Sequence, residues 1–142
     1  APRLRQPDQN SAGPSLCAGS LMAARPDKYV LIVEDEDAIR LTLRDYLQNK
    51  GFPVLVASDG VGAIKQLLDH NVKVIISDYR MDVFGGEYWI KFLHKYCSEV
   101  KVIITSGFLR PEFSIPFEVL YKPFDYQELS ARIQELFPLN SD

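Results

Sequence analysis

From Tyr29 onward the apolar positions follow two alternating rhythms. Tyr29-Val-Leu-Ile-Val33 is an unbroken, largely β-branched run, short enough for a strand and apolar on both faces, as a strand covered by helices must be. Ile39, Leu43, Tyr46 and Leu47 then recur at helical spacing and stop near Gly51, a residue that readily ends a helix. The alternation repeats. Val54 to Ala57 reads as a second strand, and Ser58 or Asp59 can cap a helix whose stripe is Val61, Ile64, Leu67 and Leu68. Val72 to Ser77 is a third strand. After the Gly85-Gly86 turn comes a stripe of Trp89, Phe92, Leu93 and Tyr96, and Val100 to Ile104 is a fourth strand. Ser106 to Pro116 breaks the pattern, because Pro111 and Pro116 leave room for only one or two helical turns. Phe117 to Tyr121 gives a fifth strand. Asp125 with Glu128 resembles a capping box ahead of a stripe of Tyr126, Leu129, Ile133 and Leu136, which Pro138 ends.

Five strands alternating with helices predict an α/β fold, a doubly wound parallel sheet with helices on both faces and right-handed crossovers. The fourth helix is expected to be short or irregular. In such sheets, sites form beyond the carboxyl ends of the strands, where the strand order reverses.

Composition divides the chain unevenly. Residues 1–27 hold four of the nine prolines and none of the sixteen aromatic residues, so they cannot bury enough apolar surface to offset ordering entropy. They read as a flexible linker or an appended tail, residues 28–138 as the folded domain, and 139–142 as a C-terminal tail. A formal charge of −3 argues against a direct nucleic-acid partner whose affinity rests on phosphate neutralisation. Cys17 and Cys97 form neither a disulfide framework nor a paired metal motif, which fits a cytoplasmic location. The partly apolar stretch from Ser15 to Ala24 is too short to span a membrane, so no membrane contact is expected.

The chemistry gathers at the strand ends. Strand one ends in Glu34-Asp35, strand three in Asp78, strand four in Thr105-Ser106 and strand five in Lys122-Pro123. A parallel sheet puts all of these on one edge. Three converging carboxylates repel one another unless a cation joins them, and hard oxygen ligands suit magnesium, which keeps waters and accepts a phosphate oxygen. Lys122 adds a mobile positive charge and Thr105 a hydroxyl.

Leu31-Ile-Val-Glu-Asp-Glu36, Ile75-Ile-Ser-Asp-Tyr-Arg-Met81, Ile103-Ile-Thr-Ser106 and Tyr121-Lys-Pro-Phe124, in that order, resemble the motifs of response-regulator receiver domains over about Lys28 to Phe137. The resemblance implies a flavodoxin-like five-stranded sheet in the order 2-1-3-4-5. It makes Asp78 the phosphoacceptor, Glu34 and Asp35 the acidic metal-binding pair, and Thr105 and Lys122 the switch hydroxyl and the conserved-type lysine. The backbone carbonyl of Arg80 becomes a further ligand of Mg2+. It implies phosphorelay signalling: the domain accepts a phosphoryl group from a histidine kinase or histidine phosphotransfer protein, assists its own phosphorylation and dephosphorylation without being an enzyme, and passes the signal to a downstream protein. Such a domain stands alone or belongs to a hybrid histidine kinase.

Each residue also has a plainer reading. Glu34 to Asp37 can be helix-start charges favoured by the macrodipole, Lys122 a solvated lysine, Thr105 a strand-end hydroxyl and Asp78 a turn residue. Their shared edge outweighs these readings. His70 and His94 read as helix caps or surface residues, and Trp89 as core. Four features depart from the usual receiver pattern: Asp82 where a proline is common, Arg80 as a long cation beside the site, Val119 where many receivers carry Tyr or Phe, and a Lys122 that follows Thr105 by only 17 positions. They leave a pseudo-receiver interaction module as one alternative. A haloacid-dehalogenase-like phosphatase with Asp35 as nucleophile and Asp37 as acid/base is another.

Overall fold

A computed structural model describes residues 26–81, 83–107 and 114–139. In chain order these form β1 (Tyr29–Val33), α1 (Asp37–Asn49), β2 (Val54–Ala57), α2 (Gly60–Asp69), β3 (Val72–Asp78), α3 (Gly86–Tyr96), β4 (Lys101–Ser106), β5 (Glu118–Tyr121) and α4 (Tyr126–Leu136). The sheet is fully parallel in the order β2-β1-β3-β4-β5. The chain therefore lays β2 on one side of β1 and β3 on the other, so the strand order reverses between β1 and β3, as expected for a doubly wound sheet.

Side-chain alternation along the strands sorts the core into two layers. Val30, Ile32, Val74, Ile76 and Ile103 face α1 and α4, where they meet Leu43, Leu47, Leu129 and Ile133. Leu31, Val33, Ile75, Val102 and Ile104 face α2 and α3, where they meet Ala63, Trp89, Ile90 and Leu93. Burying each large aliphatic side chain contributes about 1.5–3 kcal/mol, so the central strands are apolar on both faces. The β1–β3 register shifts between Tyr29 and Val30. That irregularity lets Val72 join the α2–α3 layer although Val74 packs on the other side.

Helix ends follow local chemistry. Gly51 takes φ +98° after α1, a backbone conformation that glycine adopts without a Cβ penalty. The Asp59 carboxylate caps α2 by accepting from the Gly62 N–H at 2.8 Å. Asp125 caps α4, and the bond it accepts comes from the Gln127 N–H at 2.8 Å rather than from Glu128.

Two of the expected stripes need correction. On α2, Val61 is 59% and Leu68 82% exposed; the inward line is Gly60 and Ala63, both buried, with Ile64 and Leu67 half-buried beside them. Small residues carry that face because the helix start abuts the loop after β3. A Cβ on Gly60 would lie 2.1 Å from the Phe84 carbonyl oxygen. On α3, Ile90 is core, whereas Tyr96, in the last helical position, is 66% exposed. Trp89 is fully buried, as expected, and His94 is exposed. His70 caps the end of α2 half-buried, with its ring edge-on to Tyr29.

Of the segment from Ser106 to Pro116, where a short fourth helix is expected, residues 108–113 lie outside the described residues, as do Asp82 and most of the expected tails at 1–27 and 139–142, namely 1–25 and 140–142. Among the described residues no helix is long and apolar enough to cross a membrane.

Candidate functional site

The ends of β1, β3, β4 and β5 converge on one edge. Glu34 leaves β1 with its N–H still bonded to the Ala57 carbonyl at 3.0 Å, and its own carbonyl accepts from Arg40 Nη1 at 2.9 Å. This fixes the backbone at the turn into α1. The Glu34 side chain is buried, with Oε2 accepting from the Glu36 N–H at 3.2 Å. Asp78, the last residue of β3, is also buried, whereas Asp35 is exposed. Each of these three acids offers one oxygen, and the three oxygens lie within 4.8 Å of one another.

Lys122, just after β5, reaches Asp78 from two strands away and Glu34 from three. Its N–H donates to the Ser106 carbonyl at 2.8 Å, which ties the segment after β5 to the end of β4. Its Nζ lies 3.2 Å from Glu34 Oε1 and 3.2 Å from Asp78 Oδ1. The peptide bond to Pro123 is cis. Thr105 is buried and in register with Asp78 on the neighbouring strand.

The electrostatics follow from this crowding. Burial, reinforced by the charge of Asp78, pushes the Glu34 carboxyl above its ordinary range. Burial likewise raises Asp78, with Lys122 opposing and Asp35 adding to the shift. Burial alone would lower Lys122, but the facing charges of Asp78 and Glu34 outweigh it and hold the ammonium above its usual range. Two unit charges 4.8 Å apart repel by about 3.5 kcal/mol at an effective dielectric of about 20. One ammonium against three carboxylates leaves a negative excess that a divalent cation would neutralise. The donor set, hard oxygens on an edge where Asp35 is open to solvent, fits a partly hydrated magnesium ion.

A family model described as the response regulator receiver domain matches residues 30–134. The chain belongs to this family. Similar proteins include the sensor kinase CckA of Brucella abortus, 33% identical over 115 residues that make up 75% of this chain and 12% of the kinase. The regulatory protein AtoC of Escherichia coli is 28% identical over 79% of this chain and 26% of its own length. The chain thus spans about an eighth to a quarter of these relatives. Among solved structures, the receiver domain of the Francisella response regulator 1452 superposes with a TM-score of 0.71 at 28% identity, covering 82% of this chain and all of that one. The Thermotoga maritima response regulator TrrA, solved in complex with Mg(2+)-BeF, gives a TM-score of 0.69 at 27% identity over 78% of this chain and 99% of its own. This receiver is therefore a domain of two-component signalling, and its acidic cluster fits a phosphoacceptor site.

Of the residues singled out from the sequence, the receiver brings together Glu34, Asp35, Asp78 and Lys122, with Thr105 beside them by register. Arg80 is exposed, two positions beyond Asp78. Asp37 stays outside the cluster: its carboxylate pairs with Arg40 in the first turn of α1 at 2.5 Å. The phosphatase alternative, which needs Asp37 beside Asp35 as acid/base, is therefore not favoured. Val119 is half-buried against the α2–α3 layer. Sequence reasoning missed Arg40, because nothing in its spacing from Glu34 marks a bond to a backbone carbonyl. It also missed the role of Ser77, although a lone hydroxyl closing an apolar run was a usable signal.

Proposed function

We propose that Asp78 is the phosphoacceptor of this receiver and takes a phosphoryl group from a phosphohistidine on a histidine kinase or histidine phosphotransfer protein. The observation that carries the reading is the Asp78 carboxylate itself. It is buried at the end of β3, 3.2 Å from an ammonium and within 4.8 Å of two further carboxylates. An Asp78 oxygen attacks phosphorus, a P–O bond forms, the P–N bond breaks, and the imidazole leaves with the electron pair. Glu34, Asp35, Asp78 and the Arg80 carbonyl would hold Mg2+, which when bound supplies charge stabilisation on the transferring oxygens. Lys122 balances the charge carried by Asp78 and, after transfer, pairs with a phosphoryl oxygen. The Thr105 hydroxyl, one strand over, donates to another, and its movement biases the surface that a downstream protein reads. The domain thereby works as a switch rather than as a turnover enzyme, in the cytoplasm and without contacting nucleic acid itself.

Incubating the protein with acetyl phosphate and magnesium tests this. One phosphoryl group should add, and Asp78→Asn should abolish the addition. Equal labelling of the variant would refute the assignment of Asp78. A parent that takes no label at all would favour the pseudo-receiver reading.

A further inference from the structure

The peptide group that follows Asp78 is held from both sides. Its N–H, on Tyr79, donates to the Thr105 carbonyl at 2.8 Å. Its carbonyl, that of Asp78, accepts from the Ser77 hydroxyl at 3.1 Å. That hydroxyl in turn accepts from the Trp89 indole N–H at 2.8 Å. Ser77 and Trp89 are both 0% exposed, and Trp89 packs among the apolar side chains between the sheet and α2 and α3.

A buried hydroxyl and indole N–H are costly unless both are partnered, whereas replacing such a pair by apolar groups of similar shape can be nearly neutral. Cohesion of this layer therefore does not call for the pair. What distinguishes it is its aim, since the indole N–H is spent on the Ser77 hydroxyl and that hydroxyl on the one carbonyl next to the crowded carboxylates. Trp89 also meets Phe84 edge to face, with centroids 5.8 Å apart, and Phe84 rests against Gly60. One indole thus touches the loop after β3 at its start, through Ser77, and near its far end, through Phe84.

We propose that Trp89, acting through Ser77, is a positioning residue that fixes the peptide group after Asp78 and so aims the Asp78 carboxylate for phosphoryl transfer. The proposal rests on the reading of Asp78 as phosphoacceptor. Rotation of that peptide swings the Asp78 side chain away from the line of attack, and small misplacements of a reacting group cost rate. The same bonds run the other way. When Thr105 shifts toward a phosphoryl oxygen, its carbonyl pulls on the Tyr79 N–H, and the strain reaches the indole through Ser77.

The test compares phosphorylation by acetyl phosphate in saturating magnesium for the full chain and for Ser77→Ala, Ser77→Thr and the double variant Ser77→Ala/Trp89→Phe. Loss of one hydrogen bond of this kind predicts a maximal rate about three- to tenfold lower in Ser77→Ala, with the half-saturating acetyl phosphate concentration unchanged. Ser77→Thr, which keeps the hydroxyl, should restore the rate. The double variant separates positioning from stability. It removes the indole N–H that Ser77→Ala alone leaves orphaned, so its urea midpoint should recover toward the parent while its rate stays low. A double variant whose rate recovers together with its stability overturns the proposal. Trp89 is the single tryptophan, so emission of the parent should change on adding beryllium fluoride and magnesium; an unchanged spectrum also counts against the link. Asp78→Asn supplies the control. If it labels like the parent, the phosphoacceptor reading fails and this inference fails with it. If it is silent while Ser77→Ala matches the parent, this inference alone fails.

Discussion

Replacing Asp78 by Asn keeps the shape of the side chain and removes one charge from the most crowded point of the sheet edge. Its oxygen lies within 4.8 Å of oxygens on Glu34 and Asp35, and each repulsion is at least about 3.5 kcal/mol at an effective dielectric of about 20. Against these stands one attraction, to Lys122 Nζ at 3.2 Å, worth about 5 kcal/mol on the same scale. The balance favours the neutral side chain by about 2 kcal/mol, and solvent around exposed Asp35 reduces this to about 1–2 kcal/mol. The burial that raises the Asp78 pKa has the same sign. In EDTA, then, Asp78→Asn should unfold at higher urea than the parent. Magnesium reverses the order, because an ion at a hundred times its dissociation constant stabilises the parent by about 2.7 kcal/mol, and the variant, lacking one ligand charge, gains much less. Urea titrations of both proteins in EDTA and in magnesium read the crossover directly. A variant less stable than the parent in EDTA, or one with an equal magnesium response, would refute the claim that these three acids share one cation site.

Gly60→Ala puts a methyl group against the Phe84 carbonyl, so it should cost about 1–3 kcal/mol in urea unfolding and slow labelling by acetyl phosphate through the displaced loop. For pH dependence in EDTA, Glu34 and Asp78 have folded pKa values raised above their ordinary 4.5 and 3.8, so the folded state binds more protons than the unfolded chain between those ordinary values and the raised ones. Their contribution to stability therefore grows as pH falls through that window; urea midpoints of the parent should carry this term, and those of Glu34→Gln/Asp78→Asn should lack it. Arg80, exposed two residues beyond Asp78, is expected to alter the lifetime of the phosphoryl group, and equal dephosphorylation rates for Arg80→Ala and the parent would sink that idea.

Which features were legible in the sequence depends on what each residue must do. The β1, β3 and β4 strands are buried on both faces, so their β-branched runs announced themselves, and β1 matches its expected span of Tyr29–Val33. The face of α2 did not, because Gly60 and Ala63 are buried for their small size and carry no hydrophobic signal. Leu68 and Tyr96 are large and apolar yet lie at helix ends, 82% and 66% exposed, so periodicity alone misassigned them. The acids and Lys122 were legible because a parallel sheet sends every strand end to one edge. Arg40 and the Ser77–Trp89 bond were not, since they depend on side-chain directions that spacing does not encode.

The site works against the fold that carries it, and that opposition gives the switch its leverage. Burial raises the pKa values of both Glu34 and Asp78, with the charge of Asp78 adding to the first and that of Asp35 to the second, so the edge stays unrelieved until positive charge arrives. Lys122 relieves part of it, bridging the two buried acids at 3.2 Å each. A ligand shifts a two-state element only by its differential affinity for the two states. On the proposed reading, a phosphoryl group on Asp78 would compete with Glu34 for the same ammonium, so loss of the Lys122–Glu34 pair would distinguish the two states. Its consequences need not stop at the edge: Asp78 is tied through its own peptide group to Thr105 on β4 and through Ser77 to Trp89 on α3. Chemistry at one carboxylate therefore has a bonded route to both neighbours of the β3 terminus.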